Sequence, residues 1–225
     1  MSILPQASLF LGIIPALFLL FLGLKGYDGY YKEKNVFLSF VIGIILGVIA
    51  AVMEIITLSM GIFIIILFPI LEQVLKLMTL NIGRLQKQKS TVVYGLSLGL
   101  GFGSVFTPIS LILANFETES LTLISSVIIG SFGIILFQAG TGIIIGYGVF
   151  TGKILKYYII AILLHMPFTA WFFLTGFYRI EQTQILLIFY GLAVYWYASN
   201  KIMIKILDRN KRKKEKEKFS SQGNQ

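Results

Sequence analysis

Seven apolar stretches dominate this sequence, and each is long enough to cross a lipid bilayer. A membrane-spanning helix needs about 20 mostly apolar residues, because the hydrocarbon core is about 30 Å thick and a helix rises about 1.5 Å per residue. We therefore expect an all-α fold: a polytopic membrane bundle of seven transmembrane helices within a domain of residues 1–207. The predicted spans are 7–24, 35–56, 57–80, 91–114, 121–149, 157–177 and 185–204.

The composition excludes most other classes of protein. Apolar residues make up 56% of the chain and charged residues only 13%, whereas a soluble domain carries about 25% charged residues. A soluble cofactor enzyme and a nucleic-acid-binding protein are therefore excluded. The chain has no cysteine and one histidine, so thiolate and all-histidine metal sites are excluded as well, and we expect neither a metal nor a cofactor.

The basic residues of the loops lie almost entirely on one side of the predicted bundle. Lys and Arg favour the cytoplasmic side of a membrane. The N-terminus is therefore predicted to be outside and the C-terminus cytoplasmic, in the plasma membrane. The basic segments on the predicted cytoplasmic side are 25–34, 84–89, 153–156 and the tail.

The tail, residues 208–225, reads DRNKRKKEKEKFSSQGNQ. Such a polar segment has too few apolar side chains to fold by itself, so we expect a basic, disordered cytoplasmic segment. Nine of the 19 Lys and Arg residues follow residue 200. The tail is interpreted as a topology anchor, or alternatively as a segment attracted to anionic lipid or to RNA at a ribosome.

Small residues recur at helical spacing in three of the spans. In a membrane, such residues let helix backbones approach closely, and this packing drives association. We therefore predict helix packing along these three stripes. Their members are Gly43, Gly47 and Ala51; Gly95, Gly99 and Gly103; and Gly142 and Gly146.

Five polar residues fall inside the predicted spans and are candidates for a site, because ionisable groups in a membrane are costly. Glu72 and Lys76 are four residues apart on one helical face, a spacing that suits an ion pair. Counted from the span ends, Glu72 and His165 lie about 12 Å deep and Gln138 about 18 Å deep. We expect one polar pocket with Glu72 and His165 as candidate catalytic residues, lined by Gln73, Lys76 and Gln138.

Four short motifs follow one another along the predicted spans: FPILEQVLK at 68–76, YGLSLGLGFGSVF at 94–106, FQAGTGIIIG at 137–146 and LHMPFT at 164–169. They resemble those of the glutamic-type intramembrane proteases, the superfamily of the PrsW, YhfC, CAAX-processing and bacteriocin-immunity (CPBP) proteins. The same order of elements is similar to the Aph scaffold subunit of gamma-secretase, a non-proteolytic relative. The resemblance implies a catalytic role for Glu72 and His165.

The chain departs from this family at several positions that carry the chemistry. Gln73 stands at the position of the second glutamate, Gln138 at that of the first histidine, and Phe106 where PrsW-like members carry an acid. These departures favour a pseudoprotease that acts as a scaffold or assembly subunit for another membrane protein. An active protease using Glu72 and His165 is the first alternative. A small-molecule transporter is the second, although the chain lacks the internal repeat that many transporters show.

The predicted orientation can be tested with single cysteines at Ser2 and Ser220, because the chain has no native cysteine. In intact cells, an impermeant maleimide should label Ser2→Cys, whereas Ser220→Cys should react only after the cells are opened. Labelling of position 2 from the cytoplasmic side alone would overturn the predicted orientation and the number of spans.

Overall fold

The computed structural model describes residues 4–113, 121–178 and 181–207, which form seven α-helices and no strand. The prediction of an all-α fold with seven helices is confirmed for these residues. The predicted loop at 116–120 and the tail 208–225 lie outside them. The helices are α1 (Leu4–Leu24), α2 (Glu33–Thr57), α3 (Ile64–Leu80), α4 (Ser90–Leu113), α5 (Leu121–Thr151), α6 (Ile154–Tyr178) and α7 (Leu187–Tyr197).

Four helical segments are long and apolar enough to cross a membrane, which supports a multi-pass membrane protein. They are Glu33–Glu54, Gly61–Leu80, Ile128–Thr151 and Ile154–Leu174. Gly12–Leu24 and Ser90–Val105 are shorter apolar helical segments. Seven crossings, and the orientation of the chain, stay predictions.

The boundary between the second and third helices is set by a glycine. A 3₁₀ segment, Leu58–Phe63, separates α2 from α3. Within it, Gly61 has φ 61° and ψ −136°, a conformation that is accessible essentially to glycine alone. The α-helix therefore starts at Ile64 rather than at residue 57, as the predicted span had it.

Helices α4 and α5 pack against each other at the centre of the bundle. Helices α1 and α2 cover α4, α6 and α7 cover α5, and α3 packs on α6 and α5. Every residue from 91 to 105 of α4 is buried. A second layer therefore surrounds two nearly enclosed helices.

The predicted glycine stripes form the contacts between these helices. A Cβ atom at Gly95 would meet the backbone of Gly142, and one at Gly99 would meet the backbone of Gln138. Every glycine of the three stripes faces another helix of the same chain in this way: Gly43 and Gly47 face α4, Gly95, Gly99 and Gly103 face α5, and Gly142 and Gly146 face α4. The helices approach closely because these positions carry no side chain.

Polar contacts fix the start of α2 on α4. The hydroxyl of Tyr94 accepts hydrogen bonds from the Lys32 backbone N–H at 3.2 Å and the Asn35 side-chain amide at 3.3 Å. Ser97 Oγ donates to the carbonyl oxygen of Val36 at 2.6 Å. These contacts set the height of α2 along α4, so that Gly43 meets Leu98 and Phe102.

Replacing Gly99 with leucine should prevent α4 and α5 from packing. The new Cβ would collide with the Gln138 backbone, and overpacking of this kind costs about 1–3 kcal/mol or more. We expect aggregation or a lower unfolding temperature in detergent. Gly83→Leu is the matched control, because a Cβ at Gly83 meets nothing within 4 Å; equal recovery and equal unfolding temperatures for both variants would contradict the packing.

Candidate functional site

The structure brings all five polar residues of the predicted pocket together where α3, α5 and α6 meet. Glu72, Gln73 and Lys76 lie on α3, Gln138 lies on α5 and His165 lies on α6. Each is at most 1% exposed. Because positions 72, 73 and 76 share the inward face of α3, residues on its opposite face such as Ile70 and Met78 are exposed. The result is a polar cluster inside an otherwise apolar bundle.

Gln138 connects the two oppositely charged groups of the cluster. Its Oε1 accepts a hydrogen bond from Lys76 Nζ, and its Nε2 donates to Glu72 Oε2 at 2.9 Å. Lys76 Nζ also donates to Thr141 Oγ1 at 2.9 Å. The Glu72–Lys76 ion pair that the sequence spacing suggested is therefore bridged by an amide. Each end of that amide matches the charge it faces, since a carbonyl accepts from an ammonium and an amide N–H donates to a carboxylate.

His165 is held between Gln73 and Glu72. Its Nδ1 lies 2.8 Å from Gln73 Nε2, and its Nε2 lies 3.2 Å from Glu72 Oε2. The amide N–H of Gln73 donates to Nδ1 in this arrangement, so the neutral ring carries its proton on Nε2. That proton is directed at Glu72 Oε2, which thus accepts from both His165 and Gln138.

Aromatic rings enclose the cluster. The His165 ring lies 5.0 Å from that of Phe137, 5.7 Å from that of Phe168 and 6.2 Å from that of Phe68. Lys76 Nζ lies 4.8 Å from the centre of the Phe102 ring, within the range of a cation–π interaction. These rings separate the polar groups from lipid and help to compensate the ammonium charge.

Sequence reasoning missed two contributors to the site, Thr141 and Phe102. Thr141 follows Gln138 by three residues and therefore lies on the same face of α5, a signal that could have identified it. Phe102 gave no such signal, because its sequence neighbours are glycine and other apolar residues. The side chain of Phe106, where the family places an acid, lies outside the described residues.

Two oxygen atoms of the cluster have no partner. Glu72 Oε1 and Gln73 Oε1 are buried and form no hydrogen bond. Both are acceptors, so the group that would complete them is a donor such as water or an N–H. A buried water commonly satisfies such atoms.

The direction of the N–H donors determines what chemistry the cluster could support. A hydrolase needs a base to activate water and donors to stabilise the oxyanion. Here the N–H groups of His165 and Gln138 that could serve as donors are both directed at Glu72 Oε2. In the part of the chain that the structure describes, no group of three His, Asp or Glu side chains is placed to hold a metal ion.

Comparison of the chain with protein-family models, curated proteins and solved structures gives no match. The resemblance to intramembrane proteases therefore rests on the four sequence motifs alone.

Glu72 and Lys76 should contribute to the stability of the protein as a coupled pair. Lys76→Met should lower the free energy of unfolding by about 3–5 kcal/mol, because it leaves a buried carboxylate without its counter-charge. Adding Glu72→Gln should restore part of that loss, since the double variant has no net charge to compensate. The measurement is a double-mutant cycle by denaturant titration in micelles. Lys156→Met, at an exposed position of α6, serves as a control, and strictly additive losses would rule out the bridge.

Proposed function

We propose that this chain is a membrane scaffold or assembly subunit that binds another integral membrane protein, and that it is a degenerate, pseudoprotease-like relative of the glutamic-type intramembrane proteases. It would reside in the plasma membrane with seven spans, an external N-terminus and a cytoplasmic basic tail. The polar cluster acts as a clasp that holds α3 and α6 to the central pair of helices.

The main support for this proposal is that Glu72 Oε2 accepts from two donors. One donor comes from Gln138 on α5 and the other from His165 on α6. A carboxylate that joins three helices in this way stabilises their arrangement, because separating them would leave a charge without partners in low dielectric. Gln73 and Gln138 cannot titrate, so they can hold hydrogen bonds but cannot relay protons as an acid or imidazole would.

The partner would bind to the outward faces of α3 and α6. The glycine stripes are not available to it, since they contact helices of this chain. Only 22% of the membrane segment of α6 is buried, against 83% of that of α5. Large apolar side chains such as Ile66, Met78 and Leu163 are exposed on α3 and α6, and these two helices pack side by side.

A second candidate function is intramembrane proteolysis by Glu72 and His165. The unpartnered oxygens Glu72 Oε1 and Gln73 Oε1 favour it, because they provide buried acceptors where a water could bind. Glu72 would then act as the general base. The loss of the second glutamate and the first histidine of the family speaks against this candidate.

Site-specific photo-crosslinking tests the scaffold proposal. A benzophenone side chain at Ile66, Met78 or Leu163 should give one discrete adduct with the same membrane protein in native membranes. Phe18 on α1 and Phe37 on α2 are matched controls, because both are exposed and lie on helices that pack on α4 instead. Mild-detergent purification should recover the same partner in stoichiometric amount. Adducts of equal yield at all five positions, or a lone monomer after purification, would contradict the proposal.

Detection of proteolytic activity would replace the scaffold proposal with the second candidate function. Wild-type protein in liposomes with candidate transmembrane peptides should show no cleavage. Cleavage that disappears in both Glu72→Gln and His165→Ala would establish the enzyme. Both variants must retain the wild-type elution profile, so that loss of activity is not loss of folding.

A further inference from the structure

A cavity of about 250 Å³ lies between the end of α1 and the end of the chain's last helical segment. It is distinct from the polar cluster, since none of the five cluster residues lines it. Its wall is apolar at Leu22, Met203 and Leu207 and polar at Lys25, Ser199 and Asn200. Sites for whole small molecules usually occupy about 300–1,000 Å³, so this volume suits a compact polar group rather than a large cofactor.

The helix that forms one wall widens at the cavity. After α7 the chain makes a π-helical turn, Ala198–Ile202, and then a 3₁₀ turn, Met203–Ile206. Such π-turns inside helices occur frequently at functional sites. This one carries Ser199 and Asn200, which both line the cavity.

The side chains of this turn present polar atoms to the cavity. Ser199 Oγ is buried and forms no hydrogen bond of good geometry, although it lies close enough to the Tyr195 hydroxyl to interact with it. The side chain of Asn200 is partly buried and lines the same cavity. A hydroxyl and an amide can both donate, so both side chains can donate to a ligand.

The one charged residue among the described residues of the cavity wall is basic. Lys25 lines the cavity, and its ammonium group lies 4.9 Å from the centre of the exposed Phe21 ring, so it would turn from that ring towards a bound anion. Lys201 and Lys205 stand next to the cavity-lining residues in the chain, with their ammonium groups 5.6 Å and 5.5 Å from the rings of Trp196 and Tyr147. Lysine beside Trp and Tyr is typical of a membrane–water interface.

We propose that this cavity binds the phosphate of an anionic membrane lipid. Lys25 would pair with the phosphate, and Ser199 and Asn200 would donate hydrogen bonds to its oxygens or to the headgroup hydroxyls. Leu22, Met203 and Leu207 would contact the glycerol and the first carbons of the acyl chains. A lipid fits this wall better than free phosphate does, because free phosphate would leave the apolar half of the cavity unfilled. The site does not depend on the proposed scaffold function.

Native mass spectrometry of the full chain in detergent, titrated with phosphatidylglycerol or phosphatidylcholine, tests this site. One phosphatidylglycerol should be retained in preference to phosphatidylcholine. Lys25→Gln should weaken that binding by about tenfold or more, the value expected for one hydrogen bond to a charged group. Asn200→Leu, which removes the amide from the cavity wall, should weaken it as well. Lys201→Gln is the matched control, because Lys201 is exposed on the same turn and does not line the cavity.

The remaining outcomes of these experiments either overturn the lipid site or support it. Equal loss in Lys201→Gln and Lys25→Gln, or equal retention of the two lipids, would mean unspecific attraction and overturn it. Inorganic phosphate that binds as tightly as phosphatidylglycerol would overturn the lipid assignment in favour of a free anion. Failure of millimolar phosphate to displace the lipid would support it. Unfolding temperatures equal to that of the wild type show that the variants are folded. If Asn200→Leu lowers the unfolding temperature, the lipid affinity of Lys25→Gln alone tests the site.

Discussion

Lys76 and Glu72 carry opposite charges at positions of the bundle that are at most 1% exposed. Such groups are tolerated only where each is paired and hydrogen-bonded. Gln138 meets this requirement for both, because one amide accepts from the ammonium and donates to the carboxylate. Thr141, His165 and the Phe102 ring complete the compensation. The need to compensate each buried charge therefore holds α3, α5 and α6 together.

The glycine stripes are what place Gln138 at this position. Gly99 lies against its backbone and Gly103 against its Cβ, so α4 and α5 approach closely. A larger residue at either position would move α5 away, and with it the amide that joins the two charges. The same approach brings Phe102 of α4 near Lys76. Packing of small residues and compensation of charge therefore depend on each other in this bundle.

The two glutamines give the proposed change of function a physical basis. A carboxylate and an imidazole can exchange protons near neutral pH, whereas an amide cannot. With Gln73 on one side of His165 and Gln138 on one side of Glu72, both groups that could still titrate are held by fixed donors. This arrangement favours fixed hydrogen bonds over proton transfer. Fixed hydrogen bonds suit the proposed scaffold, whereas a hydrolase needs proton transfer. The two unpartnered oxygens are the remaining feature that a hydrolase would use.

The helices could be predicted from the amino-acid sequence, because apolar stretches of this length have few alternatives to a helix in a membrane. The sequence also indicated the glycine stripes, and it placed Glu72, Gln138 and His165 at similar depth, since helical rise converts residue number into distance. The sequence did not show which of these side chains form hydrogen bonds with one another. Spacing on α3 suggested a direct Glu72–Lys76 pair, but the neighbouring helix inserts Gln138 between them. The start of α3 at Ile64 depends on the backbone of Gly61. The contribution of Phe102 and the cavity beside Lys25 likewise depend on how separate helices pack. The sequence does not specify that packing, because such contacts join residues far apart in the chain.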